Sequence, residues 1–226
     1  MEFKIYDILS SLIPGTLVLT ITVPTYIILT GNTELVGLQL ETYKELSGIL
    51  TTSFLVVSYL TGYIIHALGS WFEFLLWVTW GGRPSSILLK GKSNRVYLAD
   101  ASLILDFLKR NVNDEKIKKK EVNDLTDKDF RQLFQIAKYI ASVKSKDSIK
   151  ERIGEFNNSY IFSRNILAAF IIMLIFSIIL ASYHYLSWWL ISILAILLFL
   201  LWYRCKDKAF YHSREVLAGA YYSSRE

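Results

Sequence analysis

The chain has 226 residues, of which 53% are hydrophobic and 15% aromatic, and its formal net charge is +5. Its mean hydropathy of +0.34 is too high for an ordinary soluble domain and is typical of a membrane protein. One Cys and three His exclude a disulfide framework and zinc sites built on cysteine pairs. We therefore expect neither a metal nor a cofactor.

Long stretches without Asp, Glu, Lys or Arg predict four transmembrane helices. The first stretch, Ile8 to Thr30, has 23 residues, enough to cross a bilayer core of about 30 Å. It is longer than a signal-peptide core of about 7 to 15 residues, so we expect it to be retained. The second, Leu46 to Phe72, has 27 residues and is followed closely by the apolar segment 74–80. The third, Asn165 to Tyr203, has 39 residues, which fits two helices joined by a turn at Ser182–Ser187.

The segments between the predicted helices differ in charge. Loop 31–47 has one basic and three acidic residues, whereas segment 83–164 has 18 basic and 11 acidic ones, and five basic and three acidic residues follow Tyr203. Because basic loops stay on the cytoplasmic side, we expect segment 83–164 and both termini to lie in the cytoplasm, beneath a bacterial inner (plasma) membrane.

The predicted fold class is an all-α integral membrane protein with four transmembrane helices and a helical cytoplasmic domain between spans two and three. Within that domain the apolar spacing predicts a helix over 95–112, a second helix with Thr126 as N-cap, and a third that begins near Asp147 and continues into the third span. The predicted parts are helices one and two (1–82), the cytoplasmic domain (83–162), the helical hairpin of spans three and four (163–203) and a cytoplasmic C-terminal helix (204–226).

A basic cluster formed by Lys116, Lys118, Lys119 and Lys120 lies between the first two helices of this domain. It could bind an anionic ligand or lipid headgroups, or it could be a solvated turn that reinforces the orientation. Acidic neighbours and the absence of interleaved aromatic residues favour the solvated turn. We do not expect direct nucleic-acid binding.

The second span carries polar residues at seven-residue spacing, namely Thr52, Tyr59, His66 and Glu73, with Ser70 beside them. A polar stripe of this kind either packs against neighbouring helices or lines a water-filled path. Packing is favoured for the stripe as a whole, because glycines close to it also suit a tight helix contact.

Ionisable residues at membrane depth are functional-site hypotheses in their own right. We expect Glu73 either to act at such a site or to form an ion pair with Arg164 that docks helices two and three. We also expect protonation of His66 to favour an open state of a channel. Similar conductance of the variant His66→Ala across about pH 5 to 8 would contradict this.

The sequence contains no constellation that predicts an enzyme. A Ser/His/Asp set, a glycine-rich phosphate loop, a zinc signature and a pair of catalytic carboxylates are all absent from it. Arg204 and His212 are separated by seven residues, one more than the Arg-x(4–6)-His motif of one ribonuclease fold allows. We expect no catalytic residues.

Four stretches together resemble a group of known proteins: Tyr6–Gly15, Gly62–Glu73, Tyr160–Asn165 and Tyr211–Val216. They are similar to small four-span bacterial membrane proteins found beside antiviral systems. Examples are the multi-span accessory proteins of type VI-B CRISPR loci and the membrane subunit of the Kiwa system. The resemblance implies an inner-membrane oligomer with a role in antiphage defence. The Arg/His motif of a related accessory class is not met here, so RNA cleavage is not implied.

Two functions follow as expectations. The first is an oligomeric pore that permeabilises the membrane on a signal or on binding a defence-system protein, with the second span facing the axis of a symmetric ring. The alternative is a membrane scaffold or sensor that anchors a cytoplasmic nucleic-acid-targeting partner. A small-solute transporter is the weaker third possibility, because the two halves show no inverted repeat.

Overall fold

The computed structural model describes residues 5–30, 40–93 and 96–224, and every regular element in these ranges is helical. The helices are α1 (Ile5–Thr30), α2 (Leu40–Trp80), α3 (Pro84–Leu89), α4 (Ala101–Arg110), α5 (Glu115–Lys119), α6 (Asp127–Lys144), α7 (Asp147–Ser182) and α8 (Trp188–Tyr222), with a 3₁₀ turn at Val122–Asp124. Of the helices described, α1, α2, α7 and α8 are long and apolar enough to cross a membrane. The expected all-helical fold with four such helices is confirmed, while the orientation of the termini stays a prediction.

The threonines of helix α1 satisfy their hydroxyl groups within the helix. Each of its threonines donates a hydrogen bond from its hydroxyl to a carbonyl oxygen one turn earlier in the same helix. The donors are Thr16, Thr20, Thr22, Thr25 and Thr30. Because lipid offers no hydrogen-bond partner, these internal bonds let the hydroxyls of α1 lie in hydrocarbon without an unsatisfied group.

The chain divides into two compact units. The span unit comprises Met1–Phe72 and Ile161–Arg204, and the helical unit comprises Glu73–Tyr160 and Cys205–Glu226. Helices α2, α7 and α8 each have residues in both units. The predicted continuation of the helix at Asp147 into the third span is confirmed, because α7 runs unbroken to Ser182.

The helical unit has boundaries different from those of the predicted segment 83–162. It begins earlier, at Glu73, and it includes the C-terminal part of α8, because apolar side chains from that part enter its core. Fully buried members of this core come from α3, α4, α5, α6 and α8. They include Ile104, Leu105, Leu108, Phe130, Leu133 and Leu217.

Helices α1 and α2 cross in the span unit at small residues. A Cβ atom added to Gly62 would lie 1.7 Å from the carbonyl oxygen of Ser11, and one added to Gly15 would lie 1.8 Å from that of Ser58. Each helix therefore contributes a Ser and a Gly four residues apart, and the two backbones touch. Small residues at this spacing permit the close approach by which helices associate in lipid.

One local prediction is corrected, one helix was not predicted, and one prediction is confirmed. The helix predicted over 95–112 begins only at Ala101, because the preceding Asp100 adopts a left-handed conformation with φ of 57°. The short helix α3, which was not predicted, begins with Pro84 at its first position, where proline fits because its missing N–H is not needed. Thr126 is the N-cap of α6, as predicted, and forms a reciprocal capping box with Asp129.

Candidate functional site

A polar cluster lies inside the span unit where α1, α2 and α7 meet. Asn165 of α7 is fully buried and donates a hydrogen bond from Nδ2 to the Ser10 carbonyl oxygen at 3.2 Å. The same Nδ2 atom lies 3.2 Å from Nδ1 of His66 on α2. Arg164, 6% exposed, lies beside Gly69, where an added Cβ would be 3.3 Å from its Nε atom. We call these five residues the span cluster.

The hydrogen bonds of the span cluster determine which His66 nitrogen carries a proton. The Ser10 carbonyl oxygen can only accept, so the NH₂ group of Asn165 must face it. That NH₂ group also meets His66 Nδ1, which must then accept a hydrogen bond and carry no proton. A doubly protonated His66 would place two donors against each other. That protonation of His66 favours an open state of a channel stays a prediction.

The predicted polar stripe on α2 does not lie in a single environment. Thr52, Tyr59 and Ser70 are exposed, whereas His66 and Glu73 are only partly exposed. A spacing of seven residues drifts by about 20° per heptad around a straight α-helix, so the later members turn toward the packed face. The hydroxyls of Thr52 and Ser70 donate to carbonyl oxygens of their own helix at 2.8 and 3.1 Å.

Tyr63 joins Thr52, Tyr59 and Ser70 on the exposed side of α2, and we call these four residues the outer edge. At about 100° per residue, the four positions fall within roughly 40° of one another around the helix. Tyr63 is 65% exposed, more than Tyr59 at 38%. The buried face of α2 in the span unit lies about 100° away. It consists of Ser58, Gly62, Ile65 and Gly69.

Sequence reasoning missed Tyr63 and Asn165 as members of these two groups. Tyr63 is eleven residues from Thr52, about three helical turns, so its alignment with the outer edge could have been found from the spacing. The signal for Asn165 was weaker. An amide at the beginning of a long uncharged stretch can be seen in the sequence, but its partners on α1 and α2 cannot.

Glu73 lies in the helical unit, where its Oε1 atom accepts a hydrogen bond from the Tyr160 hydroxyl at 2.5 Å. Tyr160 is buried and belongs to the part of α7 that lies in the same unit. Arg164 belongs to the span unit. The ion pair between Glu73 and Arg164 therefore stays a prediction.

The four lysines of the predicted basic cluster, which we call the lysine cluster, lie on the single-turn helix α5 and at its C-cap, Lys120. Lys118 pairs with Glu115 at 2.9 Å, and Lys120 pairs with Asp129 at 2.8 Å. Lys116 and Lys119 are exposed. Because two of its four ammonium groups already bind carboxylates of the same unit, the cluster offers little for a polyanion, which favours the interpretation as an orientation signal.

No protein-family model matches this sequence, and no curated protein or solved structure matches it. The resemblance to antiviral membrane proteins therefore stays a prediction. Function has to be proposed from the residues and geometry of this chain.

Replacing Asn165 by leucine, which has a similar size, is expected to destabilise the span unit by about 1 to 3 kcal/mol. The change removes the amide of Asn165, which donates to the part-buried Ser10 carbonyl oxygen and meets the part-buried His66 Nδ1, and puts an apolar side chain in its place. Thermal unfolding of the detergent-solubilised chain would measure the loss. Asn157→Leu, on the same helix but partly exposed, is the matched control. Equal melting temperatures of the two variants would contradict the assigned role of Asn165.

Asp129 is expected to make the stability of α6 depend on pH. The Lys120 ammonium and the Thr126 backbone N–H stabilise its carboxylate and lower its pKa from 3.8 to about 2. Because the pKa of Asp129 is lower in the folded state, its carboxylate stabilises the fold fully above pH 3.8. This contribution to the free energy of unfolding is lost as the pH falls toward about 2. The protection of α6 amides against hydrogen exchange, taken relative to their intrinsic exchange rate at each pH, should therefore fall across this interval in the wild type.

In Asp129→Asn the same amides should exchange faster at pH 7, by an amount equivalent to about 1 to 2 kcal/mol, and their protection relative to the intrinsic rate should not change between pH 4 and 2. Asp127→Asn removes an exposed acid from the same first turn and serves as the control. If the control variant lost the pH dependence as well, Asp129 would not be its source.

Proposed function

We propose that the chain is a subunit of an oligomeric, signal- or partner-regulated membrane-permeabilising protein of bacterial antiphage defence. The observation that carries this proposal is the outer edge of α2. In a single chain it is exposed, and it lies about 100° around α2 from the small-residue face that packs against α1. The hydroxyls of Thr52 and Ser70 are satisfied within α2, so the proposal rests on Tyr59 and Tyr63, whose phenol hydroxyls are more stable in a bilayer against other polar groups or water than against hydrocarbon. A second copy of the chain presents the same edge.

The exposed surface of α8 in the span unit differs in polarity from the outer edge of α2. The apolar part of α8 is almost entirely uncovered, and its exposed side chains are nearly all aliphatic or aromatic. Examples are Leu190, Ile193, Ile196, Leu197 and Phe199. Such a surface suits lipid contact. The proposed oligomer is therefore a closed ring with α2 toward the axis and α8 toward lipid.

Cysteine cross-linking in native membranes tests the ring. In a Cys205→Ser background, single cysteines at 52, 59, 63 and 70 are expected to form disulfide-linked dimers, and Ile193→Cys and Ile196→Cys on α8 are the controls. Cross-linking from α8 but not from α2 would overturn the arrangement.

Potassium efflux from proteoliposomes tests permeabilisation. Tyr59→Ala removes a bulky side chain from the proposed axis and is expected to give efflux without an activator, whereas Ile196→Ala is expected to leave the liposomes tight. Cross-linking through α2 without efflux from Tyr59→Ala would favour the second candidate below.

The proposed role in antiphage defence is tested by counting phage plaques on cells that carry the gene with its genomic neighbours. Tyr59→Ala and Ile196→Ala are the variants to compare.

The second candidate is a membrane scaffold or sensor for a cytoplasmic protein. The sharing of α2, α7 and α8 between the two units favours it, because an unbroken helix transmits a displacement along its length. If the chain is a scaffold, we expect it to hold its partner at the membrane even when the four residues of the outer edge are replaced by leucines. If the chain forms a pore, we expect the same substitutions to abolish permeabilisation and to leave partner binding intact.

A further inference from the structure

The helical unit contains an open cavity of about 340 Å³ between the first turns of α7, the last turns of α8 and the residues that precede α4. Its volume lies near the lower end of the range of about 300 to 1,000 Å³ that ligand pockets occupy. The lysine cluster contributes no residue to its wall.

One wall of the cavity carries two arginines bound to a single buried carboxylate. Arg152 contacts both oxygens of Glu215, with its Nε atom 2.9 Å from Oε2 and its Nη2 atom 3.0 Å from Oε1. Arg214 contacts Oε1 through Nη2 and Nε, at 2.5 and 3.1 Å. Two guanidinium groups against one carboxylate leave one positive charge in excess. Each guanidinium has five N–H groups, and these contacts use only some of them.

The two arginines differ in accessibility from the carboxylate that they bind. The side chains of Arg152 and Arg214 are 58% and 30% exposed, whereas that of Glu215 is 10% exposed. Glu215 therefore holds the guanidinium groups in place and leaves them accessible to a ligand. An anion is the ligand that such a wall attracts, and the rigid guanidinium plane suits the oxygens of a phosphate or carboxylate.

The rest of the cavity wall is apolar and aromatic. Tyr97 and Tyr222 line it and are 79% and 44% exposed. The Tyr222 hydroxyl donates a hydrogen bond to Asp100 at 3.3 Å, which restricts its position. Leu98, Ile149 and Ala218 complete the apolar part. Exposed tyrosine rings beside a cationic wall provide surfaces on which a flat ring can stack.

We propose that this cavity binds a small organic monoanion or dianion built on a flat ring, of the nucleoside monophosphate class. The arginine wall would bind the phosphate, and the tyrosines would bind the base. A single excess positive charge is too little for a polyanion, and the arginines disfavour a cation. This assignment goes beyond the proposed function, because binding can be measured whether or not the protein permeabilises membranes.

Isothermal titration of the detergent-solubilised chain with AMP, GMP, CMP and UMP tests the proposal, with adenosine and inorganic phosphate as half-ligands. At least one monophosphate is expected to bind saturably and more tightly than either half-ligand. Arg152→Gln removes one exposed guanidinium and is expected to weaken binding about ten-fold. Ala218→Leu narrows the cavity without changing charge and should weaken it similarly. Arg131→Gln makes the same charge change on the exposed surface of α6 and should have no effect.

Glu215→Gln is expected to change the affinity for the monophosphate in the opposite direction. It removes the carboxylate that neutralises one guanidinium, so the monophosphate is expected to bind more tightly, by about three-fold or more. Circular dichroism melting checks that each variant is folded. The proposal is overturned if none of the four monophosphates binds up to millimolar concentration. Equal affinity of wild type and Ala218→Leu, or binding of phosphate as tight as that of the monophosphate, would also overturn it.

Discussion

Gly62→Leu is expected to abolish a correctly packed span unit, with a cost of about 3 kcal/mol or more. Even a Cβ atom at this position would lie 1.7 Å from the Ser11 carbonyl oxygen, 2.4 Å from its carbonyl carbon and 2.9 Å from its Cα. All three atoms are backbone, so no side-chain rotation relieves the overlap. Helix α1 would have to move away from α2 along its whole length, and the small-residue contact would be lost.

The yield of monodisperse protein after detergent extraction, together with its melting temperature, measures this effect. Gly48→Leu is the matched control, because an added Cβ there meets nothing within 4 Å on the same helix. Gly15→Leu should reproduce the defect from the side of α1, since its Cβ would lie 1.8 Å from the Ser58 carbonyl oxygen. A Gly62→Leu protein as stable as Gly48→Leu would show that α1 and α2 do not cross in this way.

Phe130→Ala is expected to remove about 3 to 5 kcal/mol from the stability of the helical unit. Phe130 is completely buried, in contact with the core that α4, α6 and α8 share. Its ring also lies 4.8 Å from the Lys90 ammonium, a cation–π contact that the substitution removes. Truncation leaves a cavity that the surrounding helices can fill only in part.

Hydrogen exchange resolved by peptide would show the loss as faster exchange throughout α4 and α6. Tyr139→Ala on α6 removes a ring that is 69% exposed and should change stability by no more than about 0.5 kcal/mol. Similar exchange in the two variants would mean that Phe130 does not belong to the core of this unit.

The four long helices could be predicted because the absence of charge over about 20 residues is a direct physical requirement of the bilayer. The turn between α7 and α8 was equally visible in the polar residues 182–187, where His184 adopts a positive φ of 62°. The N-cap at Thr126 was predictable because a capping box depends on residues close together in sequence.

The remaining features depend on contacts between distant residues, which one sequence does not reveal. The delayed beginning of α4 depends on the left-handed Asp100, and a pattern of apolar spacing contains no such information. The span cluster unites Ser10, His66 and Asn165 from three helices. The Arg152–Glu215–Arg214 group joins residues 63 positions apart along the chain. Arg214 and Glu215 lie in the stretch Tyr211–Val216 that carries the resemblance, but no pattern in the sequence pairs them with Arg152.

The helical unit is built from two segments separated by about 44 residues of span unit, which has a consequence for how the protein is made. A ribosome delivers residues 73–160 first, at about 5 to 20 residues per second, and then the rest of α7 and the apolar part of α8, which belong to two of the candidate membrane spans. Only afterwards do Val216, Leu217 and Tyr221 emerge to close the core. Until then, the core residues of α4 and α6 lack the apolar side chains that α8 contributes to the same core. During translation the helical unit, with its arginine-lined cavity, can therefore be completed only after the four described helices that are long and apolar enough to cross a membrane have been synthesised.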